Sequence, residues 1–269
     1  MNPLVVKQLF HDIKAKRPLI HHITNNVTIN DCANATLAIG GSPVMATAIE
    51  EVEEMIQLAD ALVINFGTIQ EEFFQAMIKA GKAANHRGIP VILDPVGVGA
   101  TSFRTEKAKE LLHKIEATII RGNVSEIYAL NGGKGSTNGV DAGDVPLSAI
   151  EIAEQAAKDF QCIVGISGKE DVVSDGKSTY LLQNGDQILT SVTGTGCMST
   201  SLIGNFSAIT NHYLFACIVG MSVMSLAGER AKQQLSIHQG IGTFKVNLMD
   251  EIYLMNEGIF EAGVRIHEV

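Results

Sequence analysis

The stretch Thr193-Gly194-Thr195-Gly196-Cys197 sets two glycines and a thiol just ahead of an apolar helical run. Glycines there let successive backbone N–H groups face a ligand. A helix opening near Met198 adds unsatisfied first-turn amides and the positive end of its dipole. Such a turn can cradle a phosphate, or the charge that develops while a phosphoryl group moves. The same letters also make an ordinary helix entry. Cys197 falls at that first turn, where a thiol's reference pKa of about 8.5 can be lowered. A thiol so placed could take a proton from a substrate hydroxyl; a small buried apolar residue fits the letters too.

Other polar residues stand at the ends of short apolar runs. Asp94 follows Val91-Ile92-Leu93, and Pro95 stops that run. A carboxylate there could hold Mg²⁺ through water, or simply form a turn. Asn123 and Glu126, three apart, share one face of a helix start. Glu126 could orient a metal-bound water between phosphates, and the pair also spells a capping box; the two roles are compatible. Arg121 ends an apolar run, where a guanidinium needs an anion: a phosphate, or an internal partner such as Glu126. Ser167 offers a hydroxyl at the end of the next run. Thr24-Asn25-Asn26 and Asn65-Phe66-Gly67-Thr68 occupy equivalent places.

The elements that must position these groups follow from periodicity. Nearly all-apolar runs at 19–23, 61–65, 90–93, 118–120 and 162–166 predict strands covered on both faces. Between them, 48–58, 70–84, 105–114, 124–130 and 147–159 predict helices; in 70–84, Phe73, Phe74, Met77, Ile78 and Gly81 share one face. Alternating strands and helices imply right-handed crossovers and a largely parallel sheet, with ligands gathered at the carboxyl ends of its strands. Further on, 180–182 and 187–192 flank Asn184-Gly185, a hairpin signal. Helices are expected at 198–209, 212–235 and 242–255, and an edge strand at 263–269. The glycine-rich 132–143 stretch reads as a surface or ligand-covering loop. No linker or repeat divides the chain, so one three-layer α/β domain over residues 1–269 is expected.

Composition narrows the function. Of 269 residues, 46% are hydrophobic and 18% charged, enough for a large core and against intrinsic disorder. A formal net charge of −9 without a Lys/Arg cluster argues against nucleic acid. No signal peptide is visible, and Cys32, Cys162, Cys197 and Cys217 form no C-x-x-C pair, so free thiols in a reducing cytoplasm are expected. The chain lacks Asp, Glu, Lys and Arg between Asp186 and Glu229. Its longest apolar run there falls short of the roughly 20 residues that span a bilayer, so a buried helix is expected rather than a membrane segment. His21 and His22 are adjacent and point to opposite faces of a strand, which disfavours a shared metal. Neither a G-x-S-x-G elbow nor a P-loop is present.

Taken together, His21 with Ile23-Thr24-Asn25, Gly41-Ser42-Pro43-Val44-Met45, Asp94-Pro95-Val96-Gly97, Arg121-Gly122-Asn123 with Glu126, and Gly194-Thr195-Gly196-Cys197 resemble the hydroxyethylthiazole kinase family. That family is a branch of the ribokinase-like superfamily, and the match runs essentially end to end. The wider superfamily ends the last motif in Asp as catalytic base; the thiazole kinases carry Cys, as here. The resemblance implies a ribokinase-like fold without a separate lid domain. It also implies ATP-dependent phosphorylation of the primary alcohol of 4-methyl-5-(2-hydroxyethyl)thiazole, feeding thiamine synthesis. By the same resemblance Met45 and Gly194 contact the thiazole, Asn25 lines its pocket, Arg121 and Ser167 contact ATP, Asp94 and Glu126 lie near Mg²⁺, and Cys197 is catalytic. A homotrimer with active sites between subunits is implied as well. The competing readings are another small-alcohol kinase of this fold (for a hydroxymethylpyrimidine or a sugar), a repair lyase of this fold, and a non-catalytic ligand sensor.

Overall fold

Six strands run parallel: β1 (Leu19–Ile23), β2 (Ser42–Val44), β3 (Ala61–Asn65), β4 (Val91–Asp94), β5 (Ile119–Asn123) and β6 (Ile163–Ser167). Three more, β7 (Asp171–Ser174), β8 (Thr179–Leu182) and β9 (Ile266–Glu268), continue the sheet antiparallel. The spatial order is β2-β1-β3-β4-β5-β6-β7-β8-β9. This is a computed structural model, and it describes residues 3–133 and 147–269. The expected loop at 132–143 therefore lies, from residue 134 on, outside the described residues.

The helices are α1 (Pro3–Lys16), α2 (Ile29–Ile39), α3 (Val52–Leu58), α4 (Glu71–Arg87), α5 (Ser102–Lys114), α6 (Val124–Leu130), α7 (Ala149–Phe160), α8 (Thr195–Ser207), α9 (Tyr213–Gln233), α10 (Ile241–Leu254) and α11 (Glu257–Gly263). The period of two along the strands sorts them. Leu62, Ile64 and Leu93 pack with Phe74, Met77, Leu111 and Ile127 on the side of α3 to α7. Val63, Ile92 and Ile119 pack on the other side with Ile203, Ile218 and Met221 of α8 and α9. A further apolar cluster joins α8 and α9 to α1, α2, α10 and α11, with Phe10 against Phe206 and Phe260. The three-layer reading holds, with a second helical tier on the α8–α9 side. α9 is long and apolar enough to cross a membrane by length and composition, and most of it is buried in this core.

Most expected elements are present, with shifted ends. The hairpin around Asn184-Gly185 is not. Asn184 instead donates to Glu229 and to the Gly263 carbonyl and accepts from the Arg265 N–H, so its side chain ties three segments together. The following residues, Gln187–Ser191, form a 3-10 helix whose Ile188 N–H is capped by Asp186. β8 pairs with β7 and β9. The expected edge strand at 263–269 is β9. The helices α1, α2 and α11 and the strands β2 and β7 have no counterpart among the expected elements. α3 is shorter than the expected 48–58, since residues 49–51 form a turn. α8 begins at Thr195 rather than near Met198, which puts Cys197 inside the first turn.

Candidate active site

Parallel pairing brings the strand ends to one rim. Asn65 and Asp94 are register partners across β3 and β4, and Asn123 and Ser167 across β5 and β6. The first turn of α8 lies over this rim, entered through Gly194 at φ +90°. A Cβ on Gly194 would come within 2.7 Å of the Thr28 methyl, so the turn sits directly against the start of α2. The N–H groups of Thr195, Gly196 and Cys197 have no acceptor within the helix, as first-turn amides must.

Cys197 is the hub. Its sulfur receives N–H groups from Asn25 at 3.4 Å and from Asn65 at 3.3 Å. Asn65 Nδ2 also donates to Asp94 Oδ2 at 2.9 Å, and Thr200 Oγ1, one turn beyond Cys197 on α8, donates to the same oxygen at 2.9 Å. Asp94 Oδ1 is buried and has no partner. Burial raises the Cys197 thiol above its ordinary pKa, with the Asp94 charge adding to the effect and Thr28, Asn65 and Arg121 opposing it. A lowered pKa from the helix terminus is thus not what the fold produces: desolvation outweighs the dipole, and the thiol rests protonated at neutral pH. The other three cysteines are free and buried.

The two carboxylates are held differently. Glu126 accepts the Gly97 N–H on Oε1 at 2.7 Å and the Asn123 N–H on Oε2 at 2.8 Å. Asn123 in turn caps the Glu126 N–H at 2.9 Å, completing the capping box. Burial, reinforced by the Asp94 charge, pushes Glu126 up to about 7. Asp94 is raised too, by burial, against the pull of Arg121, Thr200 and Asn65. The capping-box reading of Glu126 holds, and the same side chain feels the Asp94 charge.

Arg121 is 9% exposed, and none of the ion pairs among the described residues involves it. Its Nε is buried without a partner. The internal ion pair weighed from sequence is absent among the described residues. The guanidinium instead lies against Gly196, where a Cβ would stand 2.6 Å from Nη1. A buried cation without a bonded anion, beside a turn of free amides, is matched to an anionic ligand. Ser167, half-buried, makes one long bond, to the Gly122 carbonyl at 3.4 Å.

Asn25, Gly194, Asp94, Arg121, Glu126 and Cys197 thus gather at one rim, with Ser167 on the adjoining strand end. Met45 directly follows the edge strand β2, whose Val44 is the register partner of His21, so it lies at the carboxyl end of the strand beside β1. Its neighbour Ala46 is anchored through its carbonyl to His21 Nε2 at 2.7 Å. His22 reaches the Ile20 carbonyl and Thr36 instead, so the two histidines serve separate contacts. No group of three or more His, Cys, Asp or Glu residues among the described residues could hold a metal alone. Sequence reasoning did not assign Thr200 or Arg104. The spacing from Cys197 to Thr200 carries one weak signal, that of a shared helix face. Arg104 of α5 ties two rim loops by donating to the carbonyls of Phe66, Gly67 and Val96, and nothing in its sequence neighbourhood marks it.

Comparisons with known proteins agree with this geometry. Residues 10–257 match the model of the Hydroxyethylthiazole kinase family. The hydroxyethylthiazole kinase of Alkaliphilus oremlandii is 50% identical over 262 residues, covering 97% of both chains. That of Ruminiclostridium cellulolyticum is 43% identical over 98% of this chain and 97% of its own. The structure of the hydroxyethylthiazole kinase protein from Pyrococcus horikoshii superposes over 100% of both chains, with a TM-score of 0.89 and 39% identity. Pyridoxal kinase from Staphylococcus aureus, at 17% identity and a TM-score of 0.62, shares the ribokinase-like fold. By the family match across most of its length and by full-length relatives that half or nearly half coincide with it, the chain belongs to the hydroxyethylthiazole kinase family.

Proposed function

We propose that the rim site transfers the γ-phosphoryl group of ATP to the primary alcohol of 4-methyl-5-(2-hydroxyethyl)thiazole, a step that supplies thiamine synthesis. The observation that carries this reading is the first turn of α8. It sets the Cys197 sulfur, the free amides of residues 195–197 and the unpaired Arg121 guanidinium beside one another. Arg121 and Ser167 bind the ATP phosphates; Met45, Gly194 and Asn25 line the thiazole pocket. The amides hold charge on the moving group. Phosphoryl transfer through a loose transition state depends mainly on positioning and electrostatics, and the alcohol's proton leaves late. A thiol with a raised pKa is adequate for that: Cys197 orients the alcohol, and its thiolate form, steadied by the two amide donors, receives the alcohol's proton at Sγ as the new O–P bond forms and the bond to ADP breaks.

Mg²⁺ fits the residues present. Asp94 Oδ1 is a buried carboxylate oxygen with no partner, and Glu126 keeps a lone pair on each oxygen after its two backbone bonds. Two carboxylates with phosphates and water completing the shell are the usual Mg²⁺ arrangement. Asp94 and Glu126 would hold the ion, which when bound offsets the charge of the phosphates.

The active unit is one domain without a separate lid, working in the cytoplasm as a homotrimer whose sites lie between subunits. Support for assembly comes from the surface of α2 and α10, two helices that are bridged by Lys245 and Asp31. Val27, Leu37, Ile241 and Val246, on or just ahead of these two helices, are all exposed, and exposed apolar groups of this kind mark interaction surfaces. Sedimentation equilibrium is expected to return the mass of three chains; a single-chain mass at micromolar protein would refute the trimer.

The enzymatic test is ADP release with ATP, Mg²⁺ and a panel of thiazole, pyrimidine and sugar alcohols. The thiazole alcohol is expected to be strongly preferred, and a better pyrimidine or sugar substrate would replace it. Within that assay Cys197→Ser, whose hydroxyl ionises far less readily than a thiol, is expected to lower kcat about tenfold and leave the ATP KM within about twofold. Undiminished turnover would remove Cys197 from the chemistry.

A further inference from the structure

Asn65 ends β3 at the centre of the rim, is 2% exposed and is the register partner of Asp94. A primary amide has two N–H donors and a carbonyl with two lone pairs. All four are used. Nδ2 donates to Asp94 Oδ2 and to Cys197 Sγ; Oδ1 accepts Asn25 Nδ2 at 2.8 Å and the Gly67 N–H at 2.9 Å. The orientation cannot be inverted, because a backbone N–H only donates and so requires the Asn65 oxygen on the Gly67 side. Asn25 is fixed by the same logic: its Oδ1 accepts the N–H groups of Val27 and Thr28, each at 3.0 Å, which leaves its Nδ2 for Asn65 and Cys197. Three backbone N–H groups thereby set the polarity of the whole chain of bonds.

The consequence falls on two functional groups at once. The sulfur is held by two N–H donors from different strand ends. Asp94 is turned so that both protein donors, Asn65 and Thr200, lie on Oδ2 while Oδ1 is left clear. No other side chain of this size does the same. Aspartate would set oxygen against Asp94, leucine would leave buried acceptors unmet, and glutamine would overreach by a methylene.

We propose that Asn65 is a positioning residue of the transfer reaction, its amide holding the Cys197 sulfur and the Asp94 carboxylate in one fixed relation. This rests on the reading that Cys197 stands beside the acceptor alcohol. The wild type is assayed first with ATP, Mg²⁺ and the thiazole alcohol: no product there would sink that reading itself, before any variant is made. With turnover established, Asn65→Ala is expected to lower kcat about 30-fold with the thiazole KM changed by less than about threefold, since the loss lies in alignment rather than uniform binding. In a Cys197→Ala background the same substitution is expected to cost at least about threefold less, because part of what Asn65 aligns is already gone. Equal losses in both backgrounds, an unchanged kcat, or a loss confined to KM would each overturn the assignment. Thermal unfolding is followed for Asn65→Ala and the milder Asn65→Ser. If neither unfolds cooperatively, Asn65 is structural and the proposal fails.

Discussion

Asp94→Asn is expected to reduce kcat about 1,000-fold while leaving the fold intact, because it removes charge at the one buried carboxylate oxygen without a partner among the described residues. Asparagine can still present its oxygen to Asn65 Nδ2 and Thr200 Oγ1, so the bonds made by Oδ2 survive. What changes is the other position: an acceptor carrying negative charge becomes an N–H₂ group that repels a cation. Stability is expected to hold or rise, since a buried charge is gone. A thermal melt and steady-state kinetics together check this, and turnover within tenfold of the wild type would show that Asp94 has no part in transfer. The substitution also has a pH signature. Glu126 is pushed up to about 7 by burial and by the neighbouring Asp94 charge. An acid so raised gains its charge as pH rises through about 7, so wild-type rate at limiting Mg²⁺ is expected to climb between about pH 6 and pH 8. With Asp94 neutral, the second of those causes vanishes, and the Glu126 titration is expected to move to lower pH. Mg²⁺ binding followed by calorimetry across that range reads the shift without relying on activity.

Gly196→Ala is expected to lower kcat/KM for ATP by about 100-fold through a single methyl group, on the scale of one or two lost charge-assisted bonds. The new Cβ would stand 2.6 Å from Arg121 Nη1 and 3.3 Å from Cζ and Nη2. The end of an arginine is ordinarily free to move aside. This one is buried, with its stem over Gly165, where a Cβ would come within 3.7 Å of Cγ. The guanidinium must therefore leave the position it holds beside the turn. Helix stability is not at issue, since alanine is favoured over glycine in a first turn. The thiazole KM is expected to stay within about threefold, because Arg121 acts on phosphate rather than on the ring. Arg121→Ala is the matching control: it should raise the ATP KM comparably, and adding Gly196→Ala to it should change little more. Additive losses would mean that the methyl acts on the backbone turn and not on the arginine.

Local chemistry made the parallel strands readable. Runs such as Ala61–Asn65 send alternate residues into two cores, and only a strand covered on both faces needs that composition. Where such strands end, a carboxyl-end rim follows, so Asp94, Arg121, Glu126 and Cys197 could be picked out as neighbours-to-be before any coordinates. Asn184-Gly185 shows the limit of the same approach. Its dipeptide favours a tight turn, yet the Glu229 carboxylate and the Gly263 carbonyl, brought in by α9 and the end of α11, use the asparagine as a tie.

Residue types and their order along the chain were enough to place a thiol, two carboxylates, an arginine and glycine amides at the mouth of one parallel sheet, because strand and helix periods are local properties. They could not reveal that Asn25, Asn65 and Thr200 join Cys197 and Asp94 across separations of 172, 132 and 106 residues. Nor could they give the direction of the Cys197 shift. Hydrogen-bond partners and desolvation depend on which distant atoms fill the space around a group, and that space exists only once the sheet and its two helical sides have closed on each other.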